Sequence, residues 1–208
     1  MHGYPASARF GYRRLFLPDS GVPADTLLYD TFTGADGVLV TAHTPDIGGP
    51  WVGSGTWTIQ DNRAQCSGPD SAAIVLSDVG VGEVRVSARY YRTSGNFHSL
   101  FFASSAPVSG GTPADGFFIE NEGNLYRLRR RVSGSLATAE TYDKGSAPVA
   151  GELWLVEMSA SNIKFSIDGT LRIDYTPGSP WTLSQTHVGI RYGSAGSVAF
   201  DDFLARPL

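Results

Sequence analysis

From residue 26 onward, apolar and polar side chains alternate with a period of two. Clusters of Gly, Pro, Asn, Asp and Ser interrupt the alternation at intervals of about 8 to 12 residues, the pattern of a β-sandwich. In GEVRVSARYYR (82–92), Val84, Val86, Ala88 and Tyr90 share one face, and Arg85, Ser87, Arg89 and Tyr91 share the other. In NIKFSIDG (162–169), Ile163, Phe165 and Ile167 alternate with Lys164, Ser166 and Asp168. Both read as half-buried strands. FHSLFFA (97–103) and DGFFI (115–119) are apolar on both faces and suit central strands covered by a second sheet or by loops. Hairpin turns are predicted at NEGN (121–124), VSGS (132–135) and IDGT (167–170), where Gly supplies the positive φ that tight turns demand. No long segment places apolar residues at i, i+3, i+4 and i+7, and no internal repeat is visible, so helix should be scarce.

Composition narrows the function classes. The chain has 208 residues, 41% of them hydrophobic, enough for one large domain or one domain with an appendage. A net charge of −4 with 17% charged residues gives no reason to expect a nucleic-acid partner. Cys66 stands alone, which excludes an intrachain disulfide and any zinc site built on several thiolates. No run approaches the roughly 18 apolar residues needed to span a bilayer. The opening MHGYPASARFGYRRLFLP lacks the apolar core of a signal peptide. The expectation is a chain made in a cytoplasm that stays there or leaves by assembly and lysis.

Residues 1–25 differ from the rest. Arg9, Arg13 and Arg14 are interleaved with Tyr4, Phe10, Tyr12 and Phe16, no acid occurs up to Leu17, and the turn-like PDSGVPAD (18–25) closes the segment. One reading is an extension packed across its own domain. The other is an anchoring arm that buries Phe10, Tyr12, Leu15 and Phe16 against a neighbouring subunit while Arg9, Arg13 and Arg14 meet its carboxylates. The expected division is an arm over 1–25 and a β domain over 26–208.

Four segments, in order, carry a family resemblance: LLYDTFTGADGVLVTAHTPDIGGPWVGSGTWTIQDNRAQCSG (27–68), DGFFIENEGNLYRLRRRVSG (115–134), LWLVEMSASNIKFSIDGTLRIDYT (153–176) and HVGIRYGSAGSVAFDDFLA (187–205). Together they resemble concanavalin A-like lectin/glucanase domains of the laminin-G-like kind. The resemblance implies a two-sheet antiparallel jelly roll whose relatives often bind glycans. A chain joining this fold to a short N-terminal arm also resembles tailed-phage virion components, an analogy that does not by itself give function.

Glycosidase members of that superfamily carry a Glu-x-Asp-x-Glu strand. Here the closest match is Glu120 and Glu122 in IENEG, with Asn121 in the middle position and the third acid missing, so a solvated hairpin end is the favoured reading. Glu152 and Glu157, five apart, fall on opposite faces. His2, His43, His98 and His187 are scattered, and no Gly-x-Ser-x-Gly elbow occurs. His98 reads as a structural histidine satisfied by a hydrogen bond. SGGT (109–112) lacks the lysine of a phosphate loop. No cofactor is expected. A calcium ion between Asp30 and Asp201 or Asp202, with Asp46, Asp61 and Asp70 as further ligands, stands beside the alternative that these carboxylates cap strand ends.

LYRLRRRV (125–132) is the most unusual local feature. Alternation puts Arg127, Arg129 and Arg131 on one face with Leu125, and the stripe could extend to Arg85, Arg89 and Arg191 on strands of similar pattern. Such a stripe needs anions, from an acidic glycan, an acidic partner, or Asp and Glu on adjacent strands. Trp57 and Trp154 read as core, whereas Trp51 in GGPWVGSG and Trp181 in GSPWTLS are expected in loops, where they could stack on a sugar. Three readings follow. The first is a non-enzymatic, multi-copy virion component (capsid decoration, neck or tail) anchored by its arm, with surface glycans as further ligands. The second is a free-standing lectin. The third is a glycoside hydrolase with degenerate acids.

Overall fold

A computed structural model describes residues 21–68, 73–94, 97–107, 113–177, 184–193 and 196–208. The residues assigned to the arm, Arg9, Phe10, Tyr12, Arg13, Arg14, Leu15 and Phe16, lie outside this set, as do Asp70 and Trp181. The described residues form two antiparallel sheets and one short 3-10 turn, Val40–Ala42, in keeping with the period-two pattern and the missing helical one.

The first sheet holds β1 (Leu28–Asp30), β3 (Trp57–Gln60), β4 (Arg63–Gly68), β6 (Val84–Ser94), β11 (Glu152–Met158), β12 (Ile163–Ile167), β13 (Thr170–Tyr175) and β15 (Gly196–Pro207). Its order is β13-β12-β11-β6-β15-β4-β3, and β1 also pairs with β15. The second sheet holds β2 (Val52–Ser54), β5 (Ala73–Asp78), β7 (His98–Ser104), β8 (Gly116–Glu122), β9 (Leu125–Val132), β10 (Ser135–Asp143) and β14 (His187–Tyr192), in the order β10-β9-β8-β7-β14-β5-β2. The three predicted hairpins are present. The β12–β13 turn sets Asp168 and Gly169 at φ 49° and 76°, and the β9–β10 turn sets Ser133 and Gly134 at 48° and 81°. Two consecutive positive φ values are what a two-residue hairpin loop of matching twist requires.

The core between the sheets is the sum of the inward-facing alternate residues. Val84, Val86, Ala88 and Tyr90 of β6 lie beside Trp154, Val156 and Met158 of the neighbouring β11 on the inner face of the first sheet, and all are buried. Tyr90 stacks on Trp154 at 4.2 Å, and Tyr126, Phe165 and Phe200 surround the indole at 5.5 to 6.1 Å. Each such ring removes on the order of 150–250 Å² from water, so this cluster dominates the burial. Trp57 and Trp154 are core residues, as expected, and Cys66 on β4 is buried beside them. Among the described residues no helix is long and apolar enough to cross a membrane.

Polar groups also sit inside this layer, among them His98 and Glu152. His98 points inward from β7, its Nδ1 is 2.5 Å from the Tyr90 hydroxyl, and its ring stacks on Tyr192. Burial pushes its pKa down to about 3, so the imidazole is neutral at ordinary pH. One hydrogen bond satisfies the expectation in part: Nε2 has no partner among the described residues. Glu152, also buried, accepts from the Tyr126 hydroxyl at 2.7 Å and the Val149 amide at 2.6 Å and pairs with Lys144, which ties the 143–151 connection down. Glu157 points out to Arg85, so the two acids of β11 do take opposite faces.

Candidate functional site

The second sheet buries residues on both of its faces, as the doubly apolar runs predicted: every residue of β7 is buried, and all of β8 up to Asn121. Inward alternation takes Phe117, Ile119, Tyr126, Leu128, Val188 and Ile190 into the main core. The outer face is therefore set by their neighbours, and strand register orders it into two rows. In the first, Arg129 lies opposite Phe118, Phe118 opposite Phe101, Phe101 opposite Gly189, and Gly189 opposite Leu76. Ile74, Leu76, Phe101 and Phe118 form a separate buried apolar cluster there, with Phe101 and Phe118 stacked at 4.5 Å.

The second row is polar. Arg127 lies opposite Glu120, Glu120 opposite Ser99, and Ser99 opposite Arg191. Glu120 Oε1 accepts from Arg129 Nε at 3.0 Å and Nη2 at 2.8 Å, while its Oε2 lies 3.7 Å from Arg191 Nη1. Arg127 pairs with Glu122, and Arg129 Nη1 donates to Thr138 Oγ1 at 2.9 Å. The side chains of Arg127, Arg129 and Arg191 keep 23%, 16% and 15% of their surface exposed, above a Glu120 carboxylate that is nearly closed off. Burial holds the Arg191 guanidinium below the usual arginine range; Glu120 opposes the shift, and Arg131 adds to it by repulsion. Three buried polar atoms here have no hydrogen-bond partner among the described residues: Ser99 Oγ, Arg131 Nε and Arg191 Nε.

The arginine stripe of β9 thus forms, and Arg191 joins it. Arg85 and Arg89 do not. They project from the outer side of the other sheet, where Arg85 pairs with Glu157 and Arg89 Nε with Asp202 at 3.0 Å. Of the alternatives for the stripe, cross-strand acids meet Arg127 and Arg129. Glu120 and Glu122 do share a face, yet each is engaged by guanidinium groups, and Glu120 is buried in the sheet instead of sitting at a solvated hairpin end.

Two expectations are corrected. Trp51 is no exposed stacking platform: it is 1% exposed, packs edge-on to Phe203 at 5.2 Å, and donates its indole N–H to Asp30 at 2.6 Å. The GGPWVGSG segment turns inward because this donor finds a buried acceptor. The calcium grouping also does not assemble. First and last strands pair, with Asp30 opposite Phe203, but the Asp30 carboxylate faces inward and accepts from Phe32 N, His43 Nε2 and Trp51 Nε1. Asp202 turns outward to Arg89, Asp201 lies 3.8 Å from Arg63, and Asp46 caps Thr31. Among the described residues no three metal-ligating side chains converge.

No family model and no curated protein sequence matches the chain. Solved structures do. A carbohydrate-binding module, CBM66 of Bacillus subtilis, superposes with a TM-score of 0.61 at 16% identity, covering 75% of this chain and 94% of its own. A Bacillus subtilis protein of unknown function with a galectin-like fold gives 0.58 at 14%, covering 86% and 98%. The β-glucanase of Bacillus licheniformis gives 0.56 at 14%, covering 89% and 100%. The fold is the concanavalin A-like jelly roll. At these identities the likeness carries the jelly roll and not the activity. Ser99 and Thr138 were not legible as site residues, since only strand register brings them beside Glu120 and Arg129.

Proposed function

We propose that the jelly roll is a carbohydrate-binding module that holds a glycan without cleaving it, using the outer face of the β9-β8-β7-β14 strands. The observation that carries this reading is the polar row itself. The partly exposed guanidinium groups of Arg127, Arg129 and Arg191 present fixed planar donors over a rigid sheet, with the Thr138 hydroxyl beside them, the kind of preorganised surface that orients sugar hydroxyls. Similarity to CBM66 and to a galectin-like fold supports it. Against hydrolysis stands the engagement of both face-sharing carboxylates by guanidinium groups, since a glycosidase acid must keep a proton to give to the leaving oxygen. The test is a glycan array of neutral and anionic sugars probed with the full chain and with Arg127→Ser. Retention of at least one glycan, weakened in the variant, is expected; an array without any retained glycan overturns the reading.

The composition of residues 1–25 favours a second role compatible with the first, anchorage in an assembly such as a phage virion. On that reading the aromatic and arginine side chains of the arm supply the interface anchors. Removal of residues 1–25 should abolish incorporation into particles and leave glycan retention unchanged. Normal incorporation of the truncated chain would dismiss the anchor.

A further inference from the structure

β10 ends the second sheet, and among the described residues nothing pairs with its outer edge. At nine residues it is the longest of the edge strands: β13 has six, β3 four and β2 three. A free edge is a template for another strand, and natural sheets blunt it with Lys, Pro or short length. SLATAETYD (135–143) holds neither Lys nor Pro. Its side chains are exposed apart from partly buried Ala139 and Tyr142, and Leu136 keeps 45% of its surface open.

Strand register identifies the unused backbone groups. The hairpin closes on Val132 and Ser135, and at the far end the Lys144 amide donates to the Asn124 carbonyl at 3.0 Å. Hydrogen-bonded pairs alternate in an antiparallel ladder, so Ser135 and Ala137 bond β9 before the bulge between Thr138 and Glu140, and Glu140, Tyr142 and Lys144 do so after it. The amides and carbonyls of Leu136, Thr138, Thr141 and Asp143 therefore face away from β9. In agreement, the Thr141 amide donates to the Glu140 carboxylate at 3.0 Å and not to the sheet.

These four positions are complementary to themselves. Around a two-fold axis passing between Ala139 and Glu140, Leu136 falls opposite Asp143 of a second copy and Thr138 opposite Thr141, so each unused pair of backbone groups meets another. Charge fits the same pairing. Arg131, beside Leu136 on β9, makes no ion pair among the described residues, and Asp143 of the second copy arrives at that end of the sheet. Asp143 Oδ1 already accepts from Asn124 and the Gly145 amide, which leaves its second oxygen for a cation.

We propose that two copies of this chain join edge to edge through β10, continuing the second sheet across a two-fold axis. The axis is perpendicular to the sheet, so the polar rows of both copies come to the same side. The pairing stands whether or not those rows hold a glycan. One pair of strands lies at the low end of specific interfaces, under about 1,200 Å², so the association is weak and set by concentration. Glu140 sits beside the axis in both copies, and its charge holds the pairing weaker still.

The experiment is sedimentation velocity of the full chain from low micromolar to submillimolar concentration, where a monomer–dimer equilibrium is expected. Thr141→Pro removes one edge amide from each copy without touching the β9 ladder, and should weaken the dimer about tenfold or more, because every lost hydrogen bond counts twice across the axis. Thr141→Lys sets a cation toward Arg129 of the second copy and serves as a second variant with the same expected direction. Glu140→Gln removes the like charges at the axis and should tighten the dimer about threefold. Amide exchange locates the contact: Leu136, Thr138 and Asp143 should become protected as concentration rises, which a dimer built through residues 1–25 or another face would not produce. A chain that stays monomeric throughout, or a dimer equally tight in Thr141→Pro and Thr141→Lys, overturns the proposal.

Discussion

Trp51 and Asp30 are joined by a 2.6 Å hydrogen bond inside the sandwich, and that bond closes the 31–51 segment over the edge of the first sheet. Asp30 also accepts from the Phe32 amide at 2.7 Å and from His43 at 2.9 Å, so one carboxylate organises three points of a long connection. Asp30→Ala strands three donors at once. We expect a loss of about 3 kcal/mol or more in urea unfolding, given about 1–3 kcal/mol for each buried group left without a partner. Trp51→Phe keeps one aromatic ring but removes the donor and the rest of the indole, and its cost should be about 2–3 kcal/mol, a lost hydrogen bond plus the cavity left behind.

A pH dependence follows from His98. Its folded pKa lies near 3 against 6.5 in the unfolded chain, with burial as the main cause. The unfolded state therefore binds the extra proton. The stability contributed by the neutral ring is complete above about pH 6.5 and is lost progressively as the pH falls toward 3. In His98→Phe this part of the acid slope should disappear, flattening the stability profile between those limits by the equivalent of one proton. Denaturant midpoints measured across that range would show it, and an unchanged slope would contradict a neutral His98.

Glycine at position 189 is imposed by packing between strands. A Cβ there would run first into the backbone carbonyl oxygen of Val75 and would also lie 2.8 Å from Leu76 Cα and 2.9 Å from its side chain. Gly189→Ala should destabilise by about 1–3 kcal/mol, the usual cost of overpacking, and should loosen Phe101 and Phe118 with it. Thermal unfolding gives the first quantity and aromatic side-chain NMR the second.

The polar row makes a further demand. Glu120 is the shared counter-ion of Arg129 and Arg191 on a nearly closed face. Replacing it by Ala leaves two guanidinium groups facing each other, and a cost of about 3 kcal/mol is expected for breaking a buried pair from one side. Glu122→Ala, by contrast, removes a half-exposed partner of Arg127 and should cost less than about 1 kcal/mol.

Alternation along the strands made the architecture readable, because a period of two is written in side-chain chemistry and survives without knowledge of partners. GEVRVSARYYR, NIKFSIDG and the Asp168–Gly169 turn fold as that pattern requires. Pairing across strands is another matter. Arg127, Arg129 and Arg131 could be assigned to one face from spacing alone, but nothing local told Arg85 and Arg89 to face the opposite way out of the molecule from Arg191. That depends on which sheet each strand enters, a long-range outcome. Trp51 misleads for a similar reason. Its glycine-rich surroundings describe a loop correctly, yet the acceptor that draws it inward, Asp30, lies 21 positions earlier.

The solitary thiol of Cys66 gives the chain a silent reporter. Sealed in the interior, it should ignore alkylating reagents while the sandwich is closed and react once the layers part. The rate of labelling then times how often the whole body opens, with no engineered residue needed.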